Sequence, residues 1–322
     1  MLISYGMSIA GTSHIKNNIP CQDSHRYEEL SNGWVAAVVA DGVGSAKHSD
    51  IASAIACDTY IDICKVLINS DIEISEAQEI IASAYKETEK RIRDYVAEKG
   101  DEITDYDTTL SAVLYDGENI AYGHSGDGGI VVISGDGEYI KVTKPQKGAD
   151  GVCVIPLRAG ESTWEFGFFE KKTASVLLAT DGVYDSFNPY LLKGQPNELY
   201  IPVVRWFMDN NIMGVSSDNI KLVEESRRRF LTGENTKSIT DDKTVVVIFN
   251  ADIVPPLQDA SFYAEPDWVM LQDIWNRKAY PHLYKDEAAD KENEGAEEPL
   301  NADDADNGDA VDFSAEDNSE NK

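Results

Sequence analysis

The amino-acid sequence predicts an α+β fold in which a sandwich of β-sheets is covered by helices. The first observation is a set of five short, mostly apolar runs rich in β-branched residues, a pattern typical of strands buried on both faces. The second is a pair of helical patterns between the first two runs, followed by hairpin signals, so strands and helices do not alternate regularly. The five runs are WVAAVVA at 34–40, TLSAVLY at 109–115, GIVVIS at 129–134, SVLLAT at 175–180 and TVVVIF at 244–249.

Two long helices are predicted between the first two strands. In the first, from about Ser49 to Ile68, apolar side chains recur at intervals of three and four residues, as on the buried face of an amphipathic helix. The second opens with Ser75 and Gln78, which have the spacing of a capping box. It stops at Gly100, because glycine is favoured just after the end of a helix.

Hairpin signals and a helical insertion follow these helices. Asp116-Gly117 and Asp136-Gly137 each separate two strand patterns, and this dipeptide favours tight turns between antiparallel strands. We therefore expect mainly antiparallel sheets. Residues 186–236 then interrupt the strands with two helical patterns, around Glu198 to Met208 and around Asp218 to Phe230. This insertion is a candidate for a lid.

The chain divides into three predicted segments. Residues 1–255 contain all the strand patterns and form the main domain. Residues 256–285 are rich in aromatic side chains, and Pro266 and Asp267 are suited to start a short helix, so we expect this extension to pack on the main domain. Residues 286–322 contain almost no side chains to bury, which predicts a disordered acidic tail.

The composition favours a cytoplasmic protein that binds neither nucleic acid nor membranes. The formal charge is −30, of which residues 286–322 carry −13 through 15 Asp or Glu and two Lys, so the first 285 residues still carry −17. Such a chain repels nucleic acid and anionic membranes, because binding to their phosphate groups needs clustered Lys and Arg. The four cysteines lack CxxC spacing, and the N-terminus lacks the pattern of a signal peptide.

Three acidic sites stand at the ends of predicted buried strands. Asp41 follows WVAAVVA, Asp181 follows SVLLAT, and Asp241-Asp242 precedes TVVVIF, whereas the Asp150-Gly151 pair lies in a polar loop and predicts an ordinary turn. A carboxylate at the end of a buried strand is costly without a cation or hydrogen-bond donors, so we expect these sites to converge on metal. Oxygen-only ligands select hard ions such as Mg²⁺ or Mn²⁺, which can lower the pKa of a bound water. This chemistry suits hydrolysis of a phosphoester.

Seven short motifs carry a resemblance to a known family. They are GTSH at 11–14, PCQDS at 20–24, VADGVGS at 39–45, DTT at 107–109, GHSGDGG at 123–129, LLATDGVYD at 177–185 and DDKT at 241–244. In order and spacing they resemble the metal-dependent PPM (PP2C-like) protein phosphatases, and most of all the bacterial branch with a G-x-SH then PCQD opening. The resemblance covers about residues 5–250. It implies an α-β-β-α sandwich, two or three Mn²⁺ or Mg²⁺ ions, and hydrolysis of phosphoserine or phosphothreonine in proteins by a hydroxide that bridges two metal ions.

The resemblance also implies metal-binding roles for individual residues. Asp41 would bridge two ions, and the carbonyl group of Gly42 would bind the second. Asp181 and Asp241 would complete the coordination of the first ion. Asp127 would help to bind a weaker third ion together with Asp181.

Further residues of these motifs have implied roles beyond direct metal binding. Asp23 would hold metal-bound water, and it counts with Asp41 as a catalytic candidate. Thr108 and Thr109 match the paired threonines of the family, and we expect them to serve strand packing and turn hydrogen bonds. Protonation of the leaving group would come from a metal-bound water, His48 or His124.

The chain departs from the family pattern at three positions. Gln22 stands where many members have a Glu, and its amide oxygen can bind a metal ion but brings no charge. Asn18 stands where the phosphate-binding Arg is common, so that role is either empty or has moved to Lys16 or His14, with His14 also a catalytic candidate. Val43 stands where some relatives have a His that acts as general acid.

Two functions remain open on these grounds. A phosphatase would act on phosphorylated proteins as a monomer, with a Ser/Thr kinase as its counterpart. The alternative is a catalytically weak module that binds or regulates phosphoproteins, in which Gln22 and Asn18 mark an eroded site. The retention of Asp41, Asp181 and Asp241 favours the enzyme.

Overall fold

The computed structural model describes residues 1–70, 72–149 and 151–284. The strands are β1 (Leu2–Ile9), β2 (Ser24–Glu29), β3 (Val35–Ala40), β4 (Leu110–Tyr115), β5 (Ile120–Ser125), β6 (Gly129–Ser134), β7 (Tyr139–Lys141), β8 (Glu165–Phe169), β9 (Thr173–Ala179) and β10 (Lys243–Asn250). The α-helices are α1 (Thr12–Asn17), α2 (Ser49–Leu67), α3 (Ala77–Lys99), α4 (Asp181–Phe187), α5 (Ile201–Met208), α6 (Asn210–Met213), α7 (Ile220–Leu231) and α8 (Trp268–Ala279). The predicted turn at Asp150 and the predicted tail at 286–322 lie outside the described residues.

The strands form two five-stranded sheets, in the orders β1-β10-β9-β6-β7 and β2-β3-β4-β5-β8. Every neighbouring pair is antiparallel. Asp116-Gly117 lies between the paired strands β4 and β5, and Asp136-Gly137 between β6 and β7, so both predicted hairpins are confirmed. The α+β class predicted from the sequence is therefore correct.

Both faces of the central strands are buried, which explains their continuous apolar runs. On β3 the odd-numbered residues from Val35 to Val39 pack against residues of β6, β9 and β10 in the core between the sheets. The even-numbered residues from Ala36 to Ala40 pack with the buried faces of α2 and α3. Successive side chains of a strand point to opposite faces, so each strand contributes to two apolar layers.

The opposite sheet is covered by α4, α5 and α7. Phe187, Val204, Phe207 and Leu231 are buried from these helices together with residues of β1, β9 and β10. The layers therefore follow the order α-β-β-α, as the resemblance implied. Most of the segment at 186–236, considered above as a lid, is instead part of an outer helical layer, because its apolar side chains are used to cover the sheet.

The boundaries of α3 differ in part from the prediction. A short 3₁₀ turn precedes the helix, and the capping box is made by Glu73 and Glu76 rather than by Ser75 and Gln78. The predicted end is confirmed, since Gly100 has a φ of 71° and its N–H bonds to carbonyl groups of the last turn. Such a left-handed conformation is easily adopted only by glycine.

The first compact unit runs from Met1 to Trp268. Within it, Phe262 and Tyr263 pack beside Tyr139 and the core under α5. The second unit begins at Val269 and is described to residue 284; it contains most of α8 and a 3₁₀ turn. The domain boundaries proposed above stay a prediction. Among the described residues, no helix combines the length and the hydrophobicity needed to cross a membrane.

Candidate metal centre

Three aspartate side chains from separate strand ends lie together. Asp41 directly follows β3, Asp127 follows β5 after Gly126, and Asp181 begins α4 just after β9. Their carboxylate oxygens lie within 4.8 Å of one another. This carboxylate cluster, defined as Asp41, Asp127 and Asp181, joins both sheets, because β3 and β5 belong to one sheet and β9 to the other. Oxygen atoms at this spacing suit a hard divalent cation.

The backbone of Asp41 is fixed by the paired threonines. Its N–H donates to Thr109 Oγ1 at 2.9 Å. Its carbonyl oxygen accepts hydrogen bonds from Thr108 Oγ1 at 2.9 Å and from the N–H of Thr109 at 2.8 Å. The two threonines therefore serve turn hydrogen bonds, as predicted, and hold Asp41 at the end of β3.

Gly42 lies at a point where three backbone segments come close together. Its N–H donates to the carbonyl group of Gln22 at 3.1 Å. A Cβ atom at this position would lie 2.6 Å from the carbonyl oxygen of Gln22 and 2.7 Å from that of Ser49. A glycine is therefore required here by packing, while the predicted binding of metal by its carbonyl group stays a prediction.

Burial makes the charged form of these aspartates costly. Burial raises the pKa of Asp41 well above its usual range, and the charges of Asp23 and Asp181 raise it further. Burial also raises the pKa of Asp23 to about 8, although Asp23 accepts a hydrogen bond from Thr180 Oγ1 at 2.8 Å. The pKa of Asp181 rises to about 6, mainly through burial and then through the charge of Asp127. Cations would relieve this repulsion, and without them the cluster retains protons.

Asp241 and Asp242 have different surroundings although they are adjacent. Asp241 is exposed and lies outside the carboxylate cluster, but its charge contributes to the raised pKa values of Asp41 and Asp181. Together with Asp181 and Asp185, Asp241 lines a groove of about 320 Å³. Asp241, which the sequence predicted to bind metal, thus lies beside the cluster and not within it.

Asp242 is a buried residue whose role the sequence analysis missed. Its Oδ1 accepts hydrogen bonds from the N–H of Gly11 at 2.6 Å and from His14 Nδ1 at 2.8 Å. Its Oδ2 accepts a hydrogen bond from the N–H of Gln22 at 2.6 Å. Asp242 therefore ties the start of β10 to the opening segment of the chain. The signal in the sequence was the Asp-Asp pair just before β10. Successive side chains of a strand point to opposite faces, so one of the two aspartates is expected to point inward.

Gln22 has a buried side-chain oxygen atom for which no described residue provides a hydrogen bond. Its side chain is 7% exposed, and among the described residues its Oε1 is buried without a hydrogen-bond partner. Such an unpaired oxygen is costly unless a cation or a water meets it. This observation fits the predicted metal-binding role of Gln22 without testing it.

The predicted phosphate-binding residues are not part of the cluster. His14 uses Nδ1 to contact Asp242, and no described residue forms a hydrogen bond with its Nε2. Lys16 is exposed, and within the described part of the chain its Nζ lies beyond 4.0 Å from every carboxylate. His124 is buried between Ser111 and the carbonyl group of Lys144, and burial lowers its pKa to about 4, so its placement argues against a general acid.

Two basic residues near the cluster were also missed. Arg158 binds Asp107 through two hydrogen bonds of 2.6 and 2.8 Å, and the carbonyl group of Asp107 accepts the N–H of Val43 at 3.0 Å. Lys147 Nζ lies 3.5 Å from Asp127 Oδ2. Neither pair has a signal in the local sequence, because each joins residues from different loops.

Comparisons with known proteins agree with the fold and with the family that the sequence resembles. A family model described as Protein phosphatase 2C matches residues 10–212. A bacterial serine phosphatase structure is 14% identical, with a TM-score of 0.58 over 80% of this chain and 100% of that chain. The serine/threonine phosphatase Stp1 from Staphylococcus aureus is 14% identical, with a TM-score of 0.55 over 77% of this chain and 95% of its own.

A third solved structure is the catalytic domain of the serine threonine protein phosphatase PstP in complex with 2 manganese ions. It is 16% identical, with a TM-score of 0.51 over 77% of this chain and 97% of that chain. A search of curated proteins found no match.

Proposed function

The chain belongs to the protein phosphatase 2C family, and from this premise we propose that it hydrolyses phosphoserine and phosphothreonine in other proteins with the help of two or three Mn²⁺ or Mg²⁺ ions. The observation that carries the proposal is the carboxylate cluster, because Asp41, Asp127 and Asp181 converge from both sheets although they are far apart in the sequence. A phosphorylated protein as substrate, a Ser/Thr kinase as counterpart and a monomeric enzyme belong to the same proposal.

The cations would be held by oxygen atoms alone. Asp41 would bridge two ions, Asp181 and Asp241 would bind the first, and the carbonyl group of Gly42 and the unpaired Oε1 of Gln22 would bind the second. Asp127 would help to bind a third. The raised pKa values of Asp41 and Asp181 support this set, since a carboxylate that is costly to charge alone gains most from a bound cation. The manganese ions in the PstP structure support the choice of metal.

Bound divalent cations would supply acidity to a water molecule and neutralise charge on the phosphoryl group. Side chains near the cations would hold a proton and bind the phosphate group. Asp23, with a pKa of about 8, is suited to hold a proton at its carboxyl group near neutral pH. His14 Nε2, which has no hydrogen-bond partner among the described residues, would meet a phosphate oxygen, and Lys16 is the second candidate for that contact.

The proposal is tested by hydrolysis of a phosphothreonine peptide with Mn²⁺, with Mg²⁺ and with EDTA. We expect turnover only with a metal, and we expect Asp41→Asn and Asp181→Asn to lower kcat/KM by roughly 100-fold or more, since metal ions contribute several kcal/mol to catalysis. Asp116→Asn is the matched control, because among the described residues the Asp116 carboxylate accepts only the turn hydrogen bonds of Glu118 and Asn119 in the hairpin. It should retain native turnover.

The same assay separates the alternative function. A folded native chain that binds Mn²⁺ and a phosphopeptide without turnover would contradict the catalytic proposal and favour a phosphoprotein-binding module. Equal loss of activity in Asp116→Asn would contradict the assignment of the cluster.

A further inference from the structure

The loop that joins β7 to β8 is anchored by hydrogen bonds to two segments next to the carboxylate cluster. Near its start, the N–H of Gln146 donates to the carbonyl group of Gly126 at 2.7 Å, and the N–H of Gly126 donates to Gln146 Oε1 at 3.2 Å. Near its end, the N–H of Leu157 donates to the carbonyl group of Thr108 at 2.8 Å. Gly126 directly precedes Asp127, and Thr108 holds Asp41, so both anchors of the loop lie next to the cluster.

Lys147 is the residue that this loop places against the cluster. It follows the anchored Gln146, forms a β-bridge with Val154 across the loop, and has its Nζ 3.5 Å from Asp127 Oδ2. Among the described residues it is the one Lys or Arg with a nitrogen within 4.0 Å of a carboxylate of the cluster. Burial raises the pKa of Asp127, and the ammonium of Lys147 opposes that rise. The ammonium has the same effect on Asp185, which lines the adjoining groove.

We propose that Lys147 is a built-in counter-ion that competes with a divalent cation for Asp127 and so sets the metal affinity of this part of the centre. The inference rests on the proposed metal-dependent function. An ammonium and a dication that contact the same carboxylate repel each other, so binding of the ion requires Lys147 to move away. The side chain of Lys147 is 39% exposed and long, which allows such a movement into solvent.

The counter-ion acts through Asp127, and its removal has a predictable sign. Without the ammonium, Asp127 has no competing cation, so a divalent ion binds more tightly. Like charges a few ångströms apart repel each other, and solvent exposure weakens this repulsion, so we expect a gain in affinity of roughly three- to tenfold. High salt should diminish the gain, because exposed charges are screened.

Titration calorimetry with Mn²⁺ alone tests this inference on the full chain. Lys147→Met removes the charge at similar length, and Lys147→Arg keeps it. Lys144→Met is the matched control, because Lys144 is exposed on the same loop and, in the described part of the chain, has no carboxylate within 4.0 Å of its Nζ. We expect Lys147→Met to tighten the weaker class of Mn²⁺ sites by roughly three- to tenfold, with the other two variants close to native.

The possible results distinguish this inference from the proposed function. If the native chain binds no Mn²⁺, the counter-ion role is refuted, and the proposed function fails as well if the phosphopeptide assay shows no turnover with Mg²⁺. If the native chain binds Mn²⁺ but Lys147→Met leaves every affinity unchanged, the counter-ion role alone is refuted. It is also refuted if Lys144→Met tightens binding equally, or if Lys147→Arg behaves like Lys147→Met, since the effect would then depend on general charge or on shape.

Discussion

Asp242 is the residue through which β10 holds the opening segment of the chain. Its carboxylate is 2% exposed and accepts three hydrogen bonds, from the N–H groups of Gly11 and Gln22 and from His14 Nδ1. Because Gln22 and Asp23 are neighbours, this anchor also positions the candidates for metal and proton binding. Asp242 is thus a positioning residue, distinct from the adjacent and exposed Asp241.

Replacement of this buried carboxylate should destabilise the fold. In Asp242→Ala two buried N–H groups lose their acceptor, and an unsatisfied buried donor costs about 1 to 3 kcal/mol. We expect the free energy of unfolding to fall by roughly 2 to 5 kcal/mol in urea denaturation with EDTA present. The matched control is Asp62→Ala, whose carboxylate is 60% exposed in a surface ion pair with Arg91. Such pairs contribute less than about 1 kcal/mol, so equal losses in the two variants would contradict the anchoring role.

The individual residues of the site differ in how far the sequence could predict them. Asp41 and Asp181 could be found because each follows a continuous apolar run, and a carboxylate there needs a partner. The contacts of Asp242, Lys147 and Arg158 could not, because each depends on a pairing across more than 15 residues that only the folded chain creates.

At the level of elements, the site depends on the close approach of β3, α2 and the segment before β2. Gly42 lies where they meet. Its N–H donates a hydrogen bond of 3.1 Å to the carbonyl oxygen of Gln22, which holds the segment before β2 against the end of β3. The carbonyl group of Ser49, at the start of α2, also lies close to Gly42. A side chain at Gly42 would therefore push the Gln22 segment or α2 away from the cluster.

A single methyl group at this junction should be costly. In Gly42→Ala the new Cβ would lie 2.6 Å from the carbonyl oxygen of Gln22 and 2.7 Å from that of Ser49, both backbone atoms that cannot rotate away. We expect a loss of about 1 to 3 kcal/mol in the free energy of unfolding, measured by thermal or urea denaturation, together with weaker Mn²⁺ binding. Gly44→Ala is the control, because the nearest described neighbour of the added Cβ atom, Gln22 Oε1, would be 4.0 Å away. A similar loss at Gly44 would show that flexibility, and not packing, explains the result.

The elements themselves were predicted to different extents. The five buried strands and the two long helices were found because their patterns are continuous. β2, with the sequence SHRYEE, was not predicted, since it is a polar edge strand whose pairing depends on β3. The helices of residues 186–236 were placed in sequence but not in space, because a helical pattern shows which face is apolar and not which sheet it covers.

For the whole molecule, the chain combines a strongly acidic composition with buried carboxylates that come from both sheets. The charge of −17 on the first 285 residues favours cations near the surface in general. The carboxylate cluster requires a cation or protons at one specific place, because burial raises the pKa values of its members. Metal uptake, proton release and stability should therefore be linked.

The linkage predicts how stability changes with pH. The pKa of Asp23 is about 8 in the folded chain against an ordinary value of 3.8, so the folded state keeps a proton that the unfolded state has released. This contribution is fully present below about pH 4 and is lost as the pH rises towards 8. In EDTA the free energy of unfolding should therefore fall across this range, by at most about 1.4 kcal/mol per pH unit for each retained proton. Added Mn²⁺ should stabilise the fold more at pH 8 than at pH 5. At pH 5 the ion must displace protons that these carboxyl groups have already released at pH 8.

Asp23→Asn separates this effect from the repulsion among exposed carboxylates, which also grows with pH. The amide keeps an acceptor for Thr180 Oγ1 but removes the titrating group. We expect the variant in EDTA to show a shallower fall in the free energy of unfolding between pH 6 and 8 than the native chain, measured by urea denaturation at closely spaced pH values. Identical slopes would mean that groups other than Asp23 cause the pH dependence. A Mn²⁺ stabilisation independent of pH would likewise contradict the exchange of protons for metal at the cluster.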